Sequence, residues 1–214
     1  MSSPQIHQLL GASPSSAPLV NFLSELSGGS APIPEVKAYS DAVYFNYYPL
    51  GISLLFSPNA GYKPRTGLKY EQLELSRLAL DSIDVYNTAK IRDTSKPGSS
   101  RPSEIAFATY KALPLEFDLA TNINDKDGNA ISRPARITIT EESTGKDFVG
   151  TLGEPDRKGG GAGPSSGSIG IWCEWSADGI MVEFGGDEAR GPQAWERGKD
   201  AIWRVVTVFA PKRA

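Results

Sequence analysis

VYFNYYPLGISLLF, Val43 to Phe56, and IWCEWSADGIMVEF, Ile171 to Phe184, read as one pattern written twice. Each alternates apolar with other residues, turns over through two residues ending at Gly51 or Gly179, and alternates again. Side chains alternate across a strand, so Val43, Phe45 and Tyr47 share a face with Ile52, Leu54 and Phe56. The second stretch places Ile171, Cys173 and Trp175 with Ile180, Val182 and Phe184. Asp178-Gly179 is a tight-turn signal, and Pro49-Leu50-Gly51 suits a turn with glycine at the positive-φ position. Both stretches are therefore expected to be β-hairpins with one buried face.

Working outward, Ser3-Pro4 opens a short helix with Ile6, Leu9 and Leu10 on one side, stopped by Gly11. Ser16 caps a stronger one with Pro18 in its first turn. Leu19, Phe22, Leu23 and Leu26 form its apolar stripe, and Gly28-Gly29 ends it. Thr144-Gly-Lys-Asp147 has capping-box spacing with Asp in place of Glu, ahead of Phe148, Val149 and Leu152. Gly153-Glu-Pro155 stops that helix, and Gly150 weakens it by ~1 kcal/mol relative to Ala. A further strand follows each hairpin, Ser82–Tyr86 and Ala201–Phe209. Pro114–Ala120 and Ala135–Thr140 read as additional strands joined around Asp127-Gly128-Asn129. The expected fold is α+β: two helix-plus-antiparallel-hairpin repeats, 1–93 and 105–214, packed into one body around a polar linker, 94–104. Their sheets could join into one continuous curved sheet.

The chain has 214 residues, enough to bury roughly 70% of its unfolded surface without disulfides or metals. Apolar residues at 39% against 22% charged place it among globular chains. A formal charge of −3, with Lys and Arg scattered, argues against a nucleic-acid partner. The single cysteine, Cys173, excludes an intrachain disulfide. The opening MSSPQIHQLLGASPSS lacks the basic start and apolar core of a secretory signal. No apolar run approaches the ~20 residues that span a bilayer, so the expected location is cytoplasmic with no membrane contact.

The run DFVGTLGEP, followed after a loop by IWCEWSADGIMVEF, resembles repeats of the β-lactamase inhibitor protein-like and outer-membrane lipoprotein SmpA/OmlA class. Val149, Leu152, Gly153 and Pro155 match the helix ending; Trp175, Gly179 and Phe184 match the hairpin. The first half keeps Val20, Leu23, Tyr47, Gly51 and Phe56 but not the Gly-x-Pro ending. The chain also resembles uncharacterised two-repeat cytosolic proteins of bacteria and fungi, through Ala112-Leu113-Pro114. The resemblance implies a helix-backed antiparallel sheet that binds another protein, without catalysis. The lipoprotein cysteine is absent, so membrane anchoring does not carry over.

Little catalytic chemistry offers itself. Cys173 shares an alternating face with Ile171 and Trp175, which suits a small buried hydrophobe better than an exposed thiolate. His7 is the only histidine, so a histidine-rich metal site or a serine–histidine pair would depend on it alone. Asp125-Lys-Asp127-Gly128-Asn129 is no EF-hand loop: with Gly128 as the sixth residue, the first ligand is Ile123 and the bidentate glutamate is Pro134. The glycines from Gly159 to Gly170 run from a helix into a strand, the reverse of a phosphate-binding loop, and read as a flexible connector. Glu141-Glu142 and Asp187-Glu188 could serve a hydrolase, as could Cys173, but solvated surface charge is their commoner meaning.

The residues out of phase with the expected core carry more weight. Tyr44, Tyr48 and Trp172 lie there beside Asn46, Glu174 and Ser176. Large amphipathic rings on an open sheet face suit recognition, unless helices or loops cover them. Tyr44, Asn46, Tyr48, Trp172 and Glu174 are thus the expected binding residues of a non-enzymatic, inhibitor- or immunity-like protein-binding module. It is expected to need no cofactor. A carbohydrate-binding protein is the remaining reading.

Overall fold

A computed structural model describes residues 6–89, 106–121, 123, 128–161 and 170–212. The fold is α+β and resolves into two compact units that interleave along the chain. The first gathers residues up to 86, 106–112 and 207–210; the second gathers most of the remainder. The expected linker at 94–104 lies outside the described residues.

The first unit runs α1 (Ala17–Ser27), β1 (Glu35–Ala38), β2 (Val43–Tyr47), β3 (Ile52–Pro58) and β4 (Leu78–Tyr86). Before α1, the expected short helix is a 3-10 turn, Ile6–Leu9. In α1, Leu19, Phe22 and Leu23 are buried as the stripe requires. Ser16 caps by backbone conformation alone, because its hydroxyl makes no cap hydrogen bond. The helix ends at Gly28 in the left-handed region, φ 72°, where the Gly28 and Gly29 N–H groups donate to Glu25 and Ser24 carbonyls.

The first hairpin has the expected register: Val43 opposite Phe56, Phe45 opposite Leu54, Tyr47 opposite Ile52. All six side chains are buried. At about 1.5–3 kcal/mol each, their burial outweighs any local propensity in the segment. The turn is longer than expected. A 3-10 turn, Tyr48–Leu50, and Gly51 fill it, with Gly51 at φ 70°. A Cβ at Gly51 would strike the backbone of Ala108–Tyr110, so only glycine admits that segment. β4 begins before the expected Ser82. A bulge, with the pairing stepping from Leu55–Ser82 to Phe56–Leu80, leaves Asp81 unmatched. Leu80 and Ile83 are therefore both buried despite their odd spacing.

The second unit contains β5 (Leu115–Asp118), β6 (Arg136–Ile139), α2 (Gly145–Leu152), β7 (Arg157–Gly159), β8 (Trp172–Trp175), β9 (Ile180–Phe184), α3 (Ala194–Arg197) and β10 (Trp203–Phe209). β5 and β6 pair as a separate two-stranded sheet. The other eight strands form an antiparallel sheet of order β1-β2-β3-β4-β10-β9-β8-β7. The last residues of β10, Thr207 onward, belong to the first unit, and its start belongs to the second. In the second hairpin Cys173 faces Val182 and Trp175 faces Ile180, all buried. Its connection also spans residues 176–179, ending at Gly179 with φ 66°. Phe148 of α2 lies 5.8 Å from the Phe184 ring and 6.3 Å from Trp175, so this helix covers the hairpin's inward face.

The expected turn at Asp178-Gly179 forms, over four residues, and Asp178 within it also anchors a buried ion pair. Arg133 donates to Asp178 Oδ2 at 2.7 Å and to Oδ1 at 2.6 Å. Its other donors reach the Ala120 carbonyl at 2.9 and 3.3 Å and the Leu152 carbonyl at 3.1 Å. The Ala120 N–H donates to Asp178 Oδ1. The capping box forms as spaced: Asp147 accepts the Thr144 N–H at 2.8 Å and its hydroxyl at 2.7 Å. No helix among the described residues is long and apolar enough to cross a membrane.

Two stability outcomes follow. Asp178→Ala leaves a buried guanidinium without its counter-charge and is expected to cost about 3–5 kcal/mol in urea unfolding. Asp178→Asn, which keeps an acceptor for Ala120, costs less. The Thr144 hydroxyl bond holds the Asp147 carboxyl below its ordinary range. That contribution is present above the unfolded carboxylate pKa and is lost as pH falls through the folded one. Asp147→Ala should therefore destabilise by about 1 kcal/mol at neutral pH. The difference from the parent should vanish in acid titrations of the unfolding midpoint.

Candidate functional site

The first unit's sheet has a polar outward face, built by cross-strand neighbours. Glu35 stands opposite Asn46, Asn46 opposite Ser53, and Ser53 opposite Asp84. The next row is Lys37, Tyr44, Leu55 and Ser82. Ser53 donates to Asn46 Oδ1 at 2.8 Å, and Thr207 donates to Asp84 Oδ1 at 2.7 Å. Asn46, Ser53 and Ser82 are buried, so they form a polar floor rather than protruding contacts. Asn46 thus sits on the expected face but beneath its surface.

Tyr44 stands above this floor, half-buried, with Tyr39 edge-on to it at 6.2 Å. Burial raises the Tyr44 hydroxyl above its ordinary pKa, with a further push from the Asp84 carboxylate. Tyr39 is 46% exposed. Sequence phase could have found it, since it continues the alternation of Glu35 and Lys37 beyond β1.

Tyr48 lies in the turn that follows β2, and its ring is not open. It packs at 4.6 Å on Phe107, which stacks on Tyr86 at 3.8 Å. Its hydroxyl donates to Glu35 Oε1 at 3.0 Å. Burial, then that bond, raises its pKa. The segment carrying Phe107 is fixed by Ala108 N–H to the Tyr48 carbonyl and Tyr110 N–H to the Tyr86 carbonyl. For Tyr48, a covering segment is therefore the observed arrangement. Tyr86 was visible as the out-of-phase end of SIDVY; Phe107 had no local signal.

In the second unit, Trp172 and Glu174 share the outward face of β8, away from Phe148. The Trp172 indole lies across Gly159, where a Cβ would come within 2.7 Å of the ring. Arg157 stands 6.0 Å from the ring centre. Glu174 is buried and bonded to Arg157 at 3.1 Å, Lys212 at 3.5 Å and the Ser176 hydroxyl at 2.8 Å. Its carboxylate is committed to this network. Gly159, Gly160 and Gly161 are not a loose connector. Gly160 and Gly161 have φ of 82° and 79°, and added Cβ atoms would meet Gly170, Ile171 and Ala194. Lys158 Nζ lies 5.6 Å from the Trp195 ring, which is 42% exposed. The rest of that glycine run, from 162 to 169, lies outside the described residues.

The remaining candidates stay apart. Asp125 to Asp127 lie outside the described residues; Gly128 has a positive φ, 83°. Asp187 and Glu188 are exposed, Glu141 is half-buried, and its carbonyl accepts from Asn87 Nδ2. Among the described residues no group of three or more His, Cys, Asp or Glu is placed to hold a metal ion. Cys173 is 6% exposed, and burial pushes its thiol up to about 11.

No protein-family model, curated protein or solved structure matches this chain, and the resemblance of its helix ending and hairpin to the inhibitor and lipoprotein repeats has no support beyond the residues themselves.

With no relative to supply a role, Cys173 is tested directly. At neutral pH it is a protonated, covered thiol, so iodoacetamide should label the native protein at least about 100-fold more slowly than the urea-unfolded chain. Fast native labelling would restore Cys173 as a nucleophile.

Proposed function

We propose that this chain is a non-catalytic protein-binding module of the inhibitor or immunity kind, recognising its partner through the first unit's outward sheet face. The observation that carries the reading is Tyr44, half-buried beside exposed Tyr39 over the hydrogen-bonded floor of Asn46, Ser53, Asp84 and Thr207. Tyrosine with serine and asparagine is the composition of adaptable protein-recognition surfaces. The rings offer contact area at small entropic cost, over a floor whose polar groups bond to one another and hold it rigid. A rigid strand pair holds these groups in place, so little ordering opposes association. Trp172, flanked by Arg157, supplies a second patch in the other unit.

Internal duplication accounts for the two patches. Each unit holds a helix followed by four strands in order, and each hairpin closes on a positive-φ glycine, Gly51 or Gly179. The matching order of helix, edge strand, hairpin and final strand supports descent from one ancestral repeat.

The same tyrosines suit a sugar, whose apolar face stacks on a ring while carboxylates accept its hydroxyls; Asp84 beside Tyr44 favours this second reading. The test is a double variant, Tyr39→Ala with Tyr44→Ala. Immobilised parent protein should retain defined proteins from native extract. The variant should lose them by more than about tenfold while its melting temperature stays within a few degrees. Retention unchanged by the variant overturns the assignment of this face. Specific binding on a glycan array, lost in the same variant, selects the sugar reading instead.

A further inference from the structure

One end of the first unit's outward face is the link between β1 and β2. The Tyr39 N–H donates to the Ala42 carbonyl at 2.8 Å, so Ser40-Asp41 is a two-residue connection. Tyr39 continues the parity of Lys37, which stands opposite Tyr44, and the two rings therefore meet on one face. Their planes stand at 87° with centroids 6.2 Å apart. Rings at a right angle bound a corner in which one small group can touch both, and each turns the negative face of its π-system toward it. Among the described residues neither hydroxyl makes a hydrogen bond, and the exposed Asp41 side chain makes neither a hydrogen bond nor an ion pair.

The charges around this corner have one sign. Burial raises the Tyr44 hydroxyl first, and Asp84, Tyr39 and Asp41 add to the push. A nearby ammonium or guanidinium would lower it, and among the described residues none does so. Lys37 lies in the same cross-strand row, but its Nζ is turned to Glu35 Oε1 at 3.9 Å. Asp84 stands two strands from Tyr44, opposite Ser53, and is held there by the Thr207 hydroxyl.

We propose, resting on the reading of this face as a protein-recognition surface, that the corner between Tyr39 and Tyr44 takes an arginine side chain of the partner, its guanidinium stacked on a ring and forked onto the Asp41 carboxylate. A guanidinium is planar and weakly hydrated, so its face stacks on a ring while its edge keeps N–H donors for a carboxylate. A lysine ammonium is more strongly hydrated and meets Asp41 as a point charge, without the fork. An acidic side chain would face two negative ring surfaces with Asp41 and Asp84 beside them. An apolar one would cover Asp41 without bringing a counter-charge. The charges that repel the acidic group are thus the ones that select arginine.

The test uses the full chain with isotope-labelled tyrosine, titrated by the blocked peptide Gly-Arg-Gly and followed by NMR. The Tyr39 and Tyr44 ring signals should move saturably, with a dissociation constant on the order of millimolar. The same peptide with citrulline for arginine keeps the shape without the charge and should bind about fivefold or more weakly. Tyr39→Leu keeps apolar area without a π face, and Asp41→Asn keeps a polar group without charge. Each should weaken the arginine peptide by about threefold or more, with the melting temperature checking the fold. Ring signals that stay still with the arginine peptide, or that answer citrulline equally, overturn the proposal. So does binding indifferent to both substitutions. The wider reading fails separately, when Tyr39→Ala with Tyr44→Ala leaves the retention of native proteins unchanged.

Discussion

Arg133 and Asp178 carry the second unit's architecture. A guanidinium offers five N–H donors in a fixed fork, and here every one is used: two on Asp178, two on the Ala120 carbonyl, one on the Leu152 carbonyl. Both side chains are almost wholly removed from water. Desolvating two charges costs more than a poor pair returns, so such a contact persists only where geometry and extra bonds offset the cost. The contact joins three segments that no continuous strand or helix connects. Ala120 follows β5, Leu152 ends α2, and Asp178 sits in the β8–β9 connection. A cation at Leu152 also meets the negative end of that helix dipole. With the pair in place, the two-stranded sheet, the helix end and the hairpin tip have one mutual arrangement.

Local alternation is what made the hairpins readable, and non-local chemistry is what hid the rest. Val43 to Phe56 and Ile171 to Phe184 declare their buried faces because a strand's period is two and the core accepts only one parity. β7 carried no such sign, and in β1 the alternation runs for only four residues. Glu-Val-Lys-Ala and Arg-Lys-Gly are short, polar edge strands whose pairing is settled by their neighbours. Asp178-Gly179 looked like a two-residue turn because that dipeptide suits one, yet Asp178 answers to an arginine far back in the chain. The start of β4 escaped for a related reason. The bulge at Asp81 changes parity between Leu80 and Ile83, so the apolar spacing ceases to look like a strand although the strand continues.

The candidate surface shows the same division. Phase placed Tyr44, Asn46, Trp172 and Glu174 on outward faces, where they are found. It could not say which would be covered. Asn46 is buried and accepts from Ser53. Glu174 is committed to Arg157, Lys212 and Ser176, and Tyr48 lies under Phe107. Each outcome depends on residues outside the hairpin in question. Tyr44 and Trp172 keep both the expected face and a partly open ring, and Tyr39, the neighbour of Tyr44, was missed because β1 itself was missed.

The two edge strands answer one physical problem in different ways. An edge exposes unpaired peptide groups, and a chain must cover them, charge them or direct them to a chosen partner. At β7 the faces beside the edge are filled. Gly159 has no side chain, the Trp172 indole occupies that space, and Arg157 and Lys158 hold cations beside the Trp172 and Trp195 rings. Such a strand gives an incoming chain a flat ring and two charges in place of a clean ladder. At β1 the guard is charge and proline: Glu35 and Lys37 pair with each other at 3.9 Å, Pro34 offers no N–H, and the Gly67 N–H already bonds to the Ala38 carbonyl.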